Sequence, residues 1–528
     1  MTQRPSRFSG ILIPLFSMPS SGSWGIGEIG DIPLMTRWLD NAGLRLLQLL
    51  PINEMPPGET SPYSALSAMA IDPQFIVIER VEDFSATRAK WCSDNGLREQ
   101  IETVRSSPAI DYAGVRRLKD TALRQSFERF RRVEWAADTR RAAALRAYIR
   151  EQAWWLDDYA LFRALHAMQG ERPWNQWPAP FRDRVPEALA RVRVDLADDV
   201  LYRQYLQWLA DDQWAQARRE AGDVVLFGDL PFMVSGDSAD VWARQDEFRL
   251  DASLGVPPDA FSETGQDWGL PVYRWEVVAE RNFDWLRDRA RRNAALFDGY
   301  RIDHLVGFYR TYFRPQDGSG PQFTPPDESA QALLGERVLD VFRASGVHIT
   351  AEDLGVVPDF VRESLARLGV PGYKVFRWER HWHQKGQPFR DPVDYPAVSV
   401  ATSGTHDTEP MAVWWEHASR AEREAVLAIP PLGARLTAED RACAIDALDL
   451  SRSLRETFLE TLYASGSDLL ILPVQDVFGW RDRINQPATV SDTNWTWRLP
   501  WPVDRMLDEK EAVDAASRLR QWTGRYGR

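Results

Sequence analysis

The sequence predicts an α/β protein, a (β/α)8 TIM barrel with helical insertions. Two observations support this fold class. Eight short apolar runs end in polar or charged residues, and their length and β-branched content suit parallel strands buried on both faces. Stretches with apolar residues at three- and four-residue spacing lie between several of these runs, and alternating strands and helices are typical of such a barrel.

The eight predicted strands follow one another along the whole chain. They are ILIPLF (11–16), LRLLQLLP (44–51), VVLFGDLPF (224–232), GYRIDH (299–304), VHITAEDLG (347–355), YKVFRW (373–378), VSVATSGTHD (398–407) and DLLILPVQD (468–476).

Helical spacing is clearest in three stretches, at residues 32–43, 360–369 and 454–466. Each ends in a glycine, and a glycine at that position predicts a left-handed C-cap. We therefore expect Gly43, Gly369 and Gly466 to close these helices.

The alternation of strands and helices is interrupted once. Residues 1–84 are predicted to form the first part of the barrel and residues 221–528 the remainder. Between them, residues 85–220 are rich in Arg, Ala, Glu, Leu and Trp, which predicts a mainly helical insertion between the second and third strands. Loop insertions are expected at about 250–275 and 314–330, the latter being rich in Pro and Gly.

Composition narrows the class of function. The chain has 528 residues and a net charge of −13, which argues against nucleic acid as a partner because phosphate binding draws on clustered Lys and Arg. No stretch approaches the roughly 20 apolar residues of a membrane span, and two cysteines form no disulfide framework. We therefore expect a cytoplasmic protein without a membrane partner. The 23 tryptophans suit sugar stacking, although aromatic packing also explains many of them.

Carboxylates stand at the ends of four predicted strands, where barrel enzymes build their active sites. They are Asp229, Asp303, Glu352 and Asp407. Several converging carboxylates suit cleavage of a glycosidic bond, in which one carboxylate attacks the sugar and another protonates the leaving oxygen.

The neighbours of these carboxylates suggest their roles. Asp303 follows Arg301 by two residues on the same strand face and fits an ionised nucleophile, and Glu352 fits the acid/base. Asp407, beside His406, fits a group that holds sugar hydroxyls and supports the charged transition state.

Each role has a structural alternative. Arg301 and Asp303 also fit a purely structural ion pair. Glu352 or Asp353 also fits a cap on the helix that begins near Pro358.

Two further motifs bear on metal and cofactor binding. HWH at 381–383 has HxH spacing but lies beyond the sixth strand with Glu379 as its acidic neighbour, so we expect no metal site there. SWGIGEIG (23–30) has GxGxxG spacing but stands far from the preceding strand. We interpret it as a substrate-facing loop that leads into the first helix, and we expect no cofactor.

A set of longer motifs resembles the 4-α-glucanotransferases, the amylomaltases or disproportionating enzymes of glycoside hydrolase family 77. The motifs span nearly the whole chain in order: SGILIPLFSMPSSGSWGIGEIG, SPYSALSAMAIDP, GDLPFMVSGDSADVWA, GVPPDAFSETGQDWGLPVYRW, YRIDHLVGFYR, AEDLG, GTHD and VQDVFGWRDRINQPATVSDTNWTWRL.

The resemblance implies a retaining double displacement on α-1,4-glucans and maltooligosaccharides. It implies Asp303 as the nucleophile, Glu352 as the general acid and base, and Asp407 as the transition-state stabiliser. The implied substrate-binding residues are Tyr63, Asp229, Arg301 and His406 around the cleaved sugar, and Asp259, Gln266 and Trp268 on a mobile loop over the acceptor side.

Departures from the family pattern affect the acceptor side. Ala260 stands where the family usually has a tyrosine, which leaves acceptor preference open. Two alternatives to the transferase remain: an α-glucan hydrolase that uses water as its main acceptor, and a non-catalytic glucan-binding protein. His304 has no assigned role, and we expect its side chain to point away from Asp303 and to act in support.

Overall fold

The computed structural model describes residues 7–85, 95–258, 265–487, 489 and 491–528. Its core is a closed barrel of eight parallel strands, which confirms the predicted fold class. In chain order the strands of the molecule are β1 Phe8–Leu12, β2 Leu46–Gln48, β3 Val225–Leu230, β4 Phe248–Val256, β5 Gln266–Tyr273, β6 Gly299–Ile302, β7 Thr311–Pro315, β8 Gln322–Thr324, β9 His348–Ala351, β10 Gly372–Val375, β11 Ser399–Thr402 and β12 Leu469–Pro473.

The barrel follows the order β1-β12-β11-β10-β9-β6-β3-β2 and closes between β2 and β1. Each of the eight predicted runs contributes one of these strands. The first lies earlier than predicted: β1 ends at Leu12, and Pro14, which has no N–H to give to a strand ladder, precedes a 3₁₀ turn at Leu15–Ser17.

Strand register brings polar residues of neighbouring strands side by side. Asp229 of β3 pairs with Arg301 of β6, and Arg301 pairs in turn with Thr350 of β9. Because all eight strands are parallel, their carboxyl ends open at the same end of the barrel.

Within the described residues, seven longer helices with buried apolar residues accompany the barrel strands along the chain. They are Ile32–Asn41, Ala197–Glu220, Asp284–Leu296, Glu328–Arg343, Asp359–Leu368, Arg452–Tyr463 and Lys510–Tyr526. Residues 376–398, all of which are described, join β10 to β11 with two 3₁₀ turns, Phe376–Trp378 and Pro392–Asp394, in place of a helix.

The three predicted helices are present, and two of their predicted caps are confirmed. Gly43 and Gly369 are left-handed, with φ of +73° and +69°. The third prediction was wrong, because the helix ends at Tyr463 and is capped by right-handed Ala464. A glycine is required at position 466 for steric reasons, since a Cβ on it would lie 2.2 Å from the carbonyl oxygen of Tyr395.

Helices make up most of the described residues between Glu82 and Glu220. They are Glu82–Ser85, Asn95–Ser106, Tyr112–Phe130, Arg140–Met168, Ala179–Arg182, Pro186–Asp195 and Ala197–Glu220, the last of which also packs on the barrel. Among the described helices, none is both long and apolar enough to cross a bilayer.

The SWGIGEIG segment is buried under these helices. Residues 23–30 are all shielded from solvent, and Glu28 forms a 2.6 Å ion pair with the buried Lys119 of helix Tyr112–Phe130. The segment does lead into the first barrel helix, but the prediction that it faces the substrate was wrong. Its glycines instead allow close packing, because a Cβ on Gly27 would lie 1.8 Å from the Leu15 carbonyl oxygen.

A second, antiparallel sheet stands beside the barrel, with the strand order β5-β4-β7-β8. It is built largely from the segments predicted as loops at about 250–275 and 314–330. Pairing of β4 with both β5 and β7 holds them as strands, a long-range constraint that Pro and Gly content does not reveal. The second sheet places Gln266 and Trp268 on β5.

Candidate active site

Arg301 is the centre of the polar cluster at the carboxyl ends of the strands. Its Nη1 lies 2.6 Å from Asp229 Oδ2, and its Nη2 lies 2.8 Å from Asp303 Oδ1 and 3.4 Å from Glu352 Oε2. The Arg301 side chain is only 4% exposed, so its guanidinium group interacts with these acidic side chains rather than with water. The ion pair with Asp303 is therefore one part of a larger cluster.

Glu352 is held in this cluster by a backbone group as well. Its Oε2 accepts a 2.6 Å hydrogen bond from the backbone N–H of His304. Burial raises the pKa of Glu352 to about 8; Arg301 opposes the rise and Asp303 adds to it. The carboxyl group is therefore mostly protonated at neutral pH.

The alternative roles as helix caps are wrong for both acidic residues. Helix Asp359–Leu368 has Pro358 as its N-cap and no side-chain capping bond. Asp353 instead accepts a 2.7 Å hydrogen bond from the backbone N–H of Tyr373 on β10. Asp353 thus supports the barrel, while its neighbour Glu352 faces Arg301.

Asp229, Tyr63 and His406 form a connected network beside Arg301. The Tyr63 hydroxyl donates to Asp229 Oδ2 at 2.9 Å and lies 3.1 Å from His406 Nε2. The rings of Tyr63 and His406 stack at 5.5 Å. Burial raises the pKa of Asp229 to about 7, with Arg301 opposing, and burial lowers the pKa of the His406 imidazole.

Asp407 stands on the other side of this network and is the most exposed of the four carboxylates, at 40%. Its Oδ2 lies 3.3 Å from His406 Nε2, and its Oδ1 accepts a 2.6 Å hydrogen bond from Asn485 Nδ2. Arg483 donates to the Asp407 carbonyl oxygen at 2.5 Å. These contacts fix both the backbone and the carboxylate of Asp407.

Sequence reasoning missed Asn485, Arg483 and Trp495. The Trp495 ring lies 5.7 Å from the rings of both Tyr63 and His406. All three residues come from the segment after β12, whose fold brings it back across Asp407. They lie within the last of the family-like motifs, which was the available signal, but nothing in their spacing pointed to particular residues.

Two of the three predicted acceptor-side residues, Gln266 and Trp268, lie beside the cluster, and Trp268 contacts it through its ring. Trp268 Nε1 donates to Gln266 Oε1 at 3.2 Å, and the Trp268 ring packs edge-to-face on His304 with centroids 4.9 Å apart. Asp259, the third predicted acceptor-side residue, and Ala260 lie outside the described residues.

No metal cluster accompanies these groups in the described part of the chain, where no three or more His, Cys, Asp or Glu side chains could jointly hold a metal ion.

Fold and site together define a class, the barrel enzymes that act on glycosidic bonds with carboxylates gathered at the strand ends. Comparison with known proteins then gives the family. Residues 13–504 match the model of glycoside hydrolase family 77, 4-alpha-glucanotransferase, and the chain belongs to this family.

Individual relatives agree with this assignment. The chain is 33% identical to the 4-alpha-glucanotransferase of Thermus thermophilus over 512 residues, which cover 93% of this chain and 95% of the relative. It is 32% identical to that of Chlamydia pneumoniae over 514 residues, covering 95% and 93%. Its structure is similar to that of the amylomaltase from Streptococcus agalactiae in complex with acarbose, with a TM-score of 0.81, 27% identity and 99% coverage of both chains.

Proposed function

We propose that this chain transfers a segment of an α-1,4-glucan to the 4-hydroxyl of an acceptor glucose or glucan, by a retaining double displacement through a covalent glucosyl ester on Asp303. The observation that carries the mechanism is the shared contact of Asp303 and Glu352 with one nitrogen of Arg301.

This contact limits the separation of the two carboxylates. Their nearest oxygens are no farther apart than the sum of 2.8 and 3.4 Å, because both touch Arg301 Nη2. Inverting enzymes keep their carboxyl groups roughly 6.5–9.5 Å apart to admit a water, whereas retaining enzymes hold them at about 5–5.5 Å. The close pairing supports the retaining mechanism.

Protonation divides the roles. Glu352, with its raised pKa, gives its proton to the glycosidic oxygen while an Asp303 oxygen bonds to the anomeric carbon and the glycosidic bond breaks. Glu352 then takes the proton of the acceptor 4-hydroxyl. The acceptor oxygen bonds to the anomeric carbon, the ester to Asp303 breaks, and both side chains return to their starting states.

The remaining groups would hold the sugar during these steps. Asp229, whose side chain is fully buried against Arg301 and Tyr63, would hold these two groups in place beside the sugar. Asp407, fixed by Asn485 and exposed toward the cleft, would bind hydroxyls and balance the positive charge that develops on the ring. His406 would contribute a hydrogen bond from its largely neutral ring.

Transfer in place of hydrolysis requires that a sugar hydroxyl reach the intermediate before water does. We propose that Gln266 and Trp268 bind the acceptor, since stacking on Trp268 would raise its local concentration and displace water. The related amylomaltase from Streptococcus agalactiae is described with acarbose, and we propose that acarbose and α-1,4-glucans bind in the same cleft here.

The test is incubation of the purified protein with maltotriose, followed by separation of the products by chain length. Glucose together with a ladder of longer maltooligosaccharides supports transfer. Shortening without elongation would show a hydrolase, and unchanged maltotriose together with unchanged longer maltooligosaccharides would contradict both enzymatic functions. Asp303→Asn, processed in parallel, is the matched control and should yield no products.

A further inference from the structure

His304 has a backbone conformation that few non-glycine residues adopt. It follows Asp303 directly, at the point where the chain leaves β6, and its φ is +40°. This left-handed region is sterically unfavourable for a residue with a Cβ, and such residues collect at functional sites where the surroundings enforce them.

The unusual conformation directs one specific group. The backbone N–H of His304 donates to Glu352 Oε2 at 2.6 Å, which is the same oxygen that lies 3.4 Å from Arg301. The following amide, that of Leu305, donates at 3.2 Å to the Glu352 carbonyl oxygen. The turn at His304 therefore hydrogen-bonds both the side-chain carboxyl group and the backbone carbonyl of Glu352.

The side chain of His304 contacts a different part of the molecule. Its ring lies between Trp268 of the second sheet, at 4.9 Å, and Phe232 of the loop after β3, at 5.8 Å. Both contacts are edge-to-face, a favoured arrangement for aromatic rings. One residue thus touches Glu352 with its amide and Trp268 with its ring.

We propose that His304 is a positioning residue. Its left-handed backbone directs its amide to Glu352, and its ring couples this hydrogen bond to Trp268. Binding of an acceptor against Trp268 would then stabilise the turn that aims the carboxyl group. The inference rests on the proposed function, because it requires Glu352 to be the acid/base.

The imidazole itself takes no part in proton transfer under this proposal. Burial lowers the pKa of His304 to about 4, with Asp303 opposing and Arg301 adding to the effect, so the ring is neutral at neutral pH. Among the described residues, the charged groups that act most strongly on Glu352 are Arg301, Asp303 and Asp407, and all three stay unchanged in the variants below.

The test compares substitutions at position 304 by their tolerance of a left-handed backbone. Gly and Asn adopt it readily, whereas Ala does so at a cost. His304→Gly and His304→Asn should keep the hydrogen bond from the amide of residue 304 to Glu352. The alkaline limb, the fall of kcat/KM as Glu352 ionises, should then stay at its wild-type pH. His304→Ala should lose the bond, which lowers kcat at least roughly 10-fold and moves the limb up by about one pH unit.

The link to Trp268 is tested by combining variants. Trp268→Ala should move the alkaline limb in the wild-type background and leave it in place in His304→Asn, where the ring is already gone. Equal limbs for the Gly, Asn and Ala variants, or an equal effect of Trp268→Ala in both backgrounds, would overturn the proposal.

Glu352→Gln separates this inference from the proposed function. If its residual activity keeps the alkaline limb, the limb does not belong to Glu352, and the acid/base role of Glu352 fails together with the positioning role of His304. If the limb disappears with Glu352 but does not respond to His304→Ala, the function stands and only the positioning role is overturned. His304→Asn keeps the test available if His304→Ala does not fold, through the comparison at Trp268.

Discussion

Asp303 and Glu352 meet at a single atom, the Nη2 of Arg301, at 2.8 and 3.4 Å. One cation is thus shared between the group that must stay ionised and the group that must carry a proton. Burial of Glu352 decides which of the two holds the proton, because it raises the pKa of that carboxyl to about 8.

This assignment predicts the alkaline side of the pH profile. Glu352 is protonated below its pKa and ionises as pH rises through about 8, so kcat/KM should fall there with the loss of the general acid. The measurement is kcat/KM for maltotriose from pH 5 to about pH 10. Glu352→Gln is the control, since removal of this carboxyl group should remove the limb from the residual activity. A profile that stays flat past pH 9 would contradict the assignment.

Asn485 should matter to activity although it carries no charge. Its Nδ2 is 2.6 Å from Asp407 Oδ1, so Asn485→Ala removes a hydrogen bond to an ionised group, worth about 1.5–3 kcal/mol or roughly 10- to 100-fold in kcat/KM. Thr493→Ala is the matched control in the same segment, because Thr493 is exposed and its hydrogen bonds to other described residues are those with Ser491 and Thr496. Equal kinetics for the two variants would exclude this role for Asn485.

Gly466 should govern stability and leave catalysis intact. A Cβ there would lie 2.2 Å from the Tyr395 carbonyl oxygen, so Gly466→Ala should lower the free energy of unfolding by about 1–3 kcal/mol. The residue precedes β12, at the end of the barrel away from the site, so kcat should not change.

Gly524→Ala is the control for this effect. Gly524 lies in helix Lys510–Tyr526, where an added methyl group would meet no atom within 4 Å, and alanine there should be neutral or stabilising by up to about 1 kcal/mol. Urea denaturation of both variants provides the comparison, and equal midpoints would contradict the packing argument.

The barrel was predictable because each buried strand has a local sequence signal, a short apolar run that ends in polar residues. A run such as VVLFGDLPF is apolar nearly throughout and contains a carboxylate near its end. It therefore predicts both the strand and the acidic residue at the carboxyl end of that strand. The cluster of Asp229, Asp303, Glu352 and Asp407 followed from this rule, since parallel strands bring their carboxyl ends together.

Other features depended on contacts distant in sequence. Asn485 reaches Asp407 only because the chain after β12 returns across the barrel mouth, and β4 and β5 are strands only because they pair with each other. Gly466 follows a helical pattern, as Gly43 does, but a glycine is needed there because a Cβ would clash with the Tyr395 carbonyl oxygen. Local sequence does not distinguish a glycine needed for its φ from one needed for its size.

The left-handed turn at His304 could not be predicted from the local sequence either. The alternation of side chains along an extended strand places His304 opposite Asp303, but β6 ends at Ile302 and the alternation stops there. The contacts with Glu352 and Trp268 both follow from that early strand end.

The covalent role of Asp303 is tested most directly by trapping the ester. Glu352→Gln, given an α-maltotriosyl fluoride whose leaving group needs no proton, should form the intermediate and then stall, because no base remains to activate the acceptor. Mass spectrometry of the intact protein and its peptides should show one maltotriosyl adduct on the peptide that contains Asp303, and none in Asp303→Asn/Glu352→Gln. An adduct on another residue, or turnover of the fluoride by Asp303→Asn at the wild-type rate, would contradict the covalent role.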